Sequence, residues 1–346
     1  MDEKRRDRNG DALLESRIRS CTRIVEEYLQ ELAPPRIKRT FRSVVITGTG
    51  SSSAHAKYLA WLLNNNGIEA EYLPLSAFRK SSNLKTKGRG LIVISQGLSP
   101  NAELALAAQK RFKHAILLTS VGRTSAESKQ KIALTFKRSG GTIINFPIAD
   151  EYTLLIRVIG PLLGYLACLK TAGALGVKLP KIQAKTLITT LSRAENRAQK
   201  IFSALKPPDL KGSHPILCAS PLSLFSENLT FKFVEGIYVK SPVICDFMHF
   251  AHGTFQELVK NPTPAFLLMG KSNAESKLKR SLEKMLKGAG VTLYTVQSKL
   301  PVELQILEFE MIFNFLILRL MRGLGVNQKS WPGKGRDEAL YGIRSF

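Results

Sequence analysis

The feature that most constrains this chain is an alternation. Short β-branched runs recur, each passing into small residues and then into a helical pattern. VVITGTG (44–50) precedes AHAKYLAWLLNNNG, which Gly67 closes. GLIVISQG, AILLTS and TIINFP follow, with the helical patterns NAELALAAQKRF and SAESKQKIALTFKRSG between them. A helix-rich stretch from 151 to 204 comes next, with a break expected at GPLLG. After KPPDLKGSH the grammar restarts: PILCAS, a helix over SLFSENLTFKFVEGIYV, PAFLLMG, a helix over AESKLKRSLEKMLKGAG, then VTLYTVQ. Strands alternating with helices of this length imply βαβ units and parallel sheets. The fold class expected is α/β, with two doubly wound domains in tandem, a duplication visible in pattern rather than identity. The divisions are an N-terminal helical arm (1–34), a first domain (35–204), a second domain (205–330) and a tail (331–346).

In the arm, Leu13, Leu14, Ile18, Ile24, Val25, Leu29 and Leu32 fall at helical intervals, and Pro34 and Pro35 end the helix. It lacks the two further helices of a helix-turn-helix module, so a packing or dimer arm is expected. The apolar stretches LLIRVIGPLLGYLACL and MIFNFLILRLM are interrupted by Arg157 and Arg319, and read as buried helices, since a membrane helix needs about 20 largely uncharged residues. The N-terminus shows no apolar signal region. Cys21, Cys168, Cys218 and Cys245 form no CxxC pair, which fits a reducing cytoplasm better than a disulfide framework or zinc site. The net charge of +24 draws anions without naming one. Nucleic acid is not the expected partner, because no aromatic–basic interleaving or known module accompanies it.

In open parallel sheets ligands sit at the carboxyl ends of strands, where the following helix offers its amides. GTGSSSA occupies that place: Gly48 and Gly50 permit close backbone approach, and Ser51, Ser52 and Ser53 bring hydroxyls to a helix N-terminus that favours negative charge. The next strand end places Ser95 after LIVI and Ser99 before Pro100, and a third gives Thr119 and Ser120. Each loop alone is an ordinary helix start; three at successive strand ends point to an anion. With no GxGxxG and no GxxxxGK[ST], the ligand expected is a phosphate on a small molecule rather than a nucleotide.

These loops resemble those of the sugar isomerase (SIS) family, particularly its double-domain members and the isomerase half of glucosamine-6-phosphate synthase. The family's GxGTS or GxGSS loop is matched by GTGSSS (48–53), and its SxSGxSP loop by SQGLSP (95–100), one serine short. The resemblance runs from about 40 to 335. It implies that Gly50, Ser51, Ser52, Ser95, Gln96, Ser99 and Ser120 hold a sugar phosphate, with Asn101 available in place of the missing serine.

In the second half, Lys232 and Glu235 share one helix face, and spacing alone reads as a solvent-facing ion pair. His249 and His252, with Cys245 and Asp246 nearby, make an incomplete ligand set, so neither metal nor cofactor is expected. The resemblance implies sharper roles: Glu235 moves a proton between C1 and C2, His252 opens the sugar ring from a loop lent by a partner subunit, and Lys232 lies near the sugar oxygens. Aligned from VNQ, Lys334 takes the place of a carbonyl-binding lysine, while Asn327 stands where the family has an acid. The resemblance thus implies a homodimeric phosphosugar isomerase or aminosugar-phosphate deaminase acting on a hexose 6-phosphate. A non-catalytic phosphosugar sensor is the alternative.

Overall fold

A computed structural model describes residues 9–31, 37, 38, 40–146, 148, 151–181, 183–205, 212, 214–336, 338–341 and 343. Pro34 and Pro35, and most of the 205–212 connection, lie outside the described residues. The chain divides into two compact units that interleave along the sequence. One comprises Glu27–Glu151, Ile159–Lys181 and Trp331–Phe346; the other comprises Met1–Glu26, Tyr152–Val158 and Ile182–Ser330. Each unit holds a parallel sheet, and the class is α/β.

The first sheet, in the first of these units, runs β2-β1-β3-β4-β5, from β1 (Ser43–Thr47), β2 (Glu69–Tyr72), β3 (Gly90–Ile94), β4 (His114–Thr119) and β5 (Thr142–Asn145). The register sets Val45 beside Leu91, and Ile92 beside Ile116. Because side chains alternate along a strand, Val45, Leu91, Val93, Ala115 and Leu117 share one face with Phe112, Ala133 and Phe136. The helix α1 (Asp11–Gln30) precedes this sheet in the chain. Helices α2 (Ser51–Asn64), α3 (Glu103–Ala107), α4 (Glu127–Arg138) and α5 (Ile159–Ala174) complete the unit's main elements. Two departures from expectation occur here. NAELALAAQKRF does not make one helix; a 3-10 turn at Pro100–Ala102, the short α3 and another 3-10 turn at Gln109–Arg111 share it. GPLLG is no break either: Pro161 sits in the first turn of α5, where its missing N–H costs nothing.

The second sheet, in the other unit, runs β7-β6-β8-β9, from β6 (Ile216–Cys218), β7 (Ile244–Asp246), β8 (Ala265–Met269) and β9 (Leu293–Gln297). Helices α6 (Ala184–Ser192) and α7 (Ala194–Ala204) precede it, and α8 (Leu222–Phe225), α9 (Glu227–Ile237), α10 (Phe247–Phe250), α11 (Thr254–Lys260) and α12 (Asn273–Leu286) lie between or beside its strands. Then comes α13 (Val302–Leu324), the helix expected from MIFNFLILRLM, buried along most of its length. Phe233 of α9, Phe266 of β8 and Phe313 of α13 meet at ring separations of 5.4–5.8 Å on one face. The opposite face holds Leu217, Cys245, Leu267, Leu282 and Leu286. The tail carries turns and the short α14 (Glu338–Tyr341). All four cysteines are free and buried. No helix among the described residues is long and apolar enough to cross a membrane.

Candidate functional site

The three hydroxyl-bearing loops follow β1, β3 and β4, which are adjacent in the first sheet. Glycine is required twice in the first. A side chain at Gly48 would begin 2.4 Å from the Ser52 carbonyl oxygen, and Gly50, capping α2, holds φ 57° and ψ −133°. The tight turn brings Ser52 N to Thr49 O at 3.1 Å and Ser53 N to Gly50 O at 2.9 Å. Ser53 is committed to Tyr72 across the sheet end at 2.9 Å. Ser51 and Ser52 have no side-chain partner among the described residues, and neither has Ser95. Thr47, fully buried at the end of β1, also has a hydroxyl without a partner.

The second and third loops are tied together. The Gln96 carbonyl accepts from Ser120 N at 2.9 Å, Ser120 Oγ at 2.8 Å and Thr119 Oγ1 at 3.0 Å. The Ser120 hydroxyl therefore shapes the loop as well as standing at the strand end. Gln96 lays its side chain against Gly160, where any Cβ would fall 2.1 Å from its Oε1. Beside it the buried Glu151 carboxylate accepts from Ile159 N at 2.9 Å and Gly160 N at 2.7 Å, closing the N-terminus of α5. Ser99 donates to Asn101 Oδ1 at 2.7 Å. Leu98, buried in the SQGLSP bend, takes φ 46°, a left-handed conformation rare for a bulky residue. Strain of this kind costs about 1–3 kcal/mol and gathers where a loop must hold an awkward shape. Lys334 belongs to this unit, exposed, with its ammonium 4.8 Å from the Trp331 ring centre.

His55 packs α2 on α5. Its Nε2 donates to the Pro161 carbonyl at 2.9 Å, and its ring meets Tyr165 edge-on at 4.6 Å. Burial pushes its pKa down to about 4, so it stays neutral.

The second unit holds Lys232, Glu235 and His252. The solvent-facing pair that spacing alone suggested is replaced by a buried one. Lys232, 2% exposed, places Nζ 2.7 Å from Glu310 Oε2 and 2.6 Å from Asn314 Oδ1, both on α13. Burial drives the Glu310 carboxyl upward, against the pull of Lys232. Burial also raises the proton affinity of Glu235, opposed first by Arg157 and then by Lys232. A carboxyl whose proton affinity burial has raised is a stronger base than an exposed one. His252 lies on an exposed turn after α10, its N–H donating to His249 O at 2.9 Å; Met248 beside it is 71% exposed.

Two residues linked to Glu235 were not among the site residues expected from the sequence. Gln328 is fully buried; its Oε1 accepts from Ile156 N at 3.0 Å and its Nε2 donates to Glu235 O at 2.8 Å. Arg157 follows Ile156, its guanidinium 4.5 Å over the Tyr152 ring. The signal for Arg157 was present: a lone charge inside an apolar run is almost never buried without a partner.

No protein-family model and no curated protein matches this sequence. Solved structures do. The C-terminal domain of glucosamine-fructose-6-phosphate aminotransferase from Francisella tularensis superposes with a TM-score of 0.71 at 13% identity, over 91% of this chain and 97% of that one. Glucosamine-6-phosphate deaminase from Thermotoga maritima gives 0.69 at 16%, over 92% and 97%. Tagatose-6-phosphate ketose/aldose isomerase from Escherichia coli gives 0.61 at 15%, over 92% and 93%. At these identities the likeness is one of fold: the chain has the sugar isomerase (SIS) fold.

Proposed function

We propose that the protein is a phosphosugar isomerase or aminosugar-phosphate deaminase/isomerase, moving a proton between C1 and C2 of a hexose 6-phosphate. In this reading the two sheets belong to tandem SIS-like domains. Gly50, Ser51, Ser52, Ser95, Gln96, Ser99, Asn101 and Ser120 hold the phosphate, and Glu235 is the base. His252 opens the ring, Lys232 and Lys334 serve the sugar oxygens and carbonyl, and the protein works in the cytoplasm as a homodimer.

The observation that carries it is the set of hydroxyl loops after β1, β3 and β4, where Thr47, Ser51, Ser52 and Ser95 keep hydroxyls without a partner among the described residues, Ser51 and Ser52 at the N-terminus of α2. The solved structures that share the fold, among them an isomerase and a deaminase of sugar phosphates, support the substrate class. The exposed turn carrying Met248 and His252 supports a second copy as its cover.

The test is exchange into heavy water of the C2 proton of glucosamine 6-phosphate, or of a C1 proton of fructose 6-phosphate. Glu235→Gln keeps size and hydrogen bonding but removes the base, so exchange should fall by about 10²–10⁴-fold while phosphosugar binding persists. One observation favours the sensor reading: the Ser99, Thr119 and Ser120 hydroxyls are already engaged within the loops. Tight binding with no exchange in the wild type would establish the sensor and sink the enzyme.

A further inference from the structure

We propose that Gln328 is a positioning residue that fixes Arg157 as the counter-charge of Glu235, an inference that rests on Glu235 being the proton-transferring base. The geometry begins with a single buried amide. Gln328 Oε1 accepts from Ile156 N at 3.0 Å, while its Nε2 donates to Glu235 O at 2.8 Å and Gly236 O at 3.1 Å. Ile156 and Glu235, from separate segments of the chain, are thereby held across the width of one carboxamide. The joint is reinforced on both sides. Leu155 N donates to the Gln328 carbonyl at 3.3 Å, and Ile156 Cδ1 lies 3.3 Å from where a Cβ on Gly236 would stand. No larger residue fits at 236, since Ile317 Cγ2 would be 2.3 Å away.

The side chain that this joint delivers is Arg157, the next residue. Tyr152 stacks under its guanidinium at 4.5 Å, and its Nε is buried without a hydrogen-bond partner among the described residues. Lys232, on Glu235's own helix, is less able to serve, because its ammonium is bound by Glu310 and Asn314 from α13. From the 325–330 turn comes the neutral Gln328 amide. The charges bearing on Glu235 are therefore Arg157 and Lys232, the latter already matched by Glu310. Arg157 opposes the rise in proton affinity that burial gives the Glu235 carboxyl.

The experiment uses the full chain, with glutamate side-chain carboxyls labelled with 13C and Glu235 assigned by its loss in Glu235→Gln. In Arg157→Gln the Glu235 titration should move up by about one pH unit, as expected for loss of a nearby opposite charge. The acidic limb of C2-proton exchange should move the same way, because only the ionised carboxylate accepts the proton. Arg157→Lys should restore most of both. Gln328→Leu should reproduce the upward shift while Arg157 remains in the sequence, which a purely structural residue would not do. A Glu235 titration unmoved in folded Arg157→Gln or in folded Gln328→Leu overturns the proposal; should Gln328→Leu fail to fold, Gln328→Asn, whose shorter amide cannot bridge Ile156 N and Glu235 O, takes its place. If the wild type exchanges no proton at all, the enzyme reading falls and the titration still judges the counter-charge.

Discussion

The two sheets end differently. At the carboxyl ends of the first, Thr47, Ser51, Ser52 and Ser95 keep hydroxyls that nothing among the described residues occupies. At the ends of β8 and β9 in the second, serine hydroxyls are taken by the protein's own acids. Ser272 after β8 is locked in a capping box with Glu275, which also accepts from Gly270 N at 2.8 Å. Ser298 after β9 donates to buried Glu308 at 2.6 Å, and Glu308 is paired with Arg197. One pattern of strand, small-residue loop and helix thus leaves several hydroxyls unengaged in one unit and engages them with carboxylates in the other. Hydroxyls near helix starts do not by themselves make a ligand site; what matters is whether an internal carboxylate arrives first.

The units also differ in the charge they keep inside, and here the largest effect is expected. Lys232→Met strands Glu310 in the core and should destabilise its unit by about 3–5 kcal/mol in urea unfolding. Lys232→Met with Glu310→Met should recover most of that loss; a double variant as weak as the single would show that the pair is not the cause.

The next effect belongs to the first-sheet unit. The depressed pKa of His55 means that the unfolded chain takes up the proton first as pH falls. Its contribution is complete above about pH 6.5 and lost on the way down to about 4, a loss of about 3 kcal/mol at the acid end. Urea midpoints measured across that window should fall less steeply in His55→Gln than in the wild type, and equal slopes would refute the assignment.

Smaller still, Ser52→Ala and Ser95→Ala should each weaken phosphosugar binding by about 1–3 kcal/mol with stability unchanged. Calorimetry showing full affinity in both would move the anion away from these loops. The smallest change completes the contrast: Ser272→Ala, losing a cap, should lower stability by about 1 kcal/mol and leave binding untouched.

Local signals carried much of the architecture. VVITGTG before SSSAHAKYLAWLL combines β-branching, turn glycines and a helical apolar spacing within one window, so strand, turn and helix were all legible. The edge strands β2 (EAEY) and β7 (ICD) were not, since four and three residues hold no periodicity and their extended state comes from a neighbouring strand. The same limit governs the site. Glu235 could be picked out with its helix, but Lys232 finds Asn314 82 residues on, and Gln328 finds Ile156 172 residues back. Those partners are set by packing, and no reading of adjacent residues contains them.

The interleaving of the two units has a consequence for synthesis on the ribosome. Residues 11–26 of α1 belong to a unit whose remaining parts end at Ser330. Leu14, Ile18, Cys21 and Val25, buried in the finished protein, emerge roughly 300 residues before that unit's last helix. At about 5–20 residues per second, that apolar stripe waits on the order of 15–60 s for its cover. Meanwhile the first sheet and α5 are complete in sequence by residue 181. The nascent chain therefore holds most of one unit's sequence while α1 still awaits the last helix of its own, which makes α1 the segment for which a chaperone would compete.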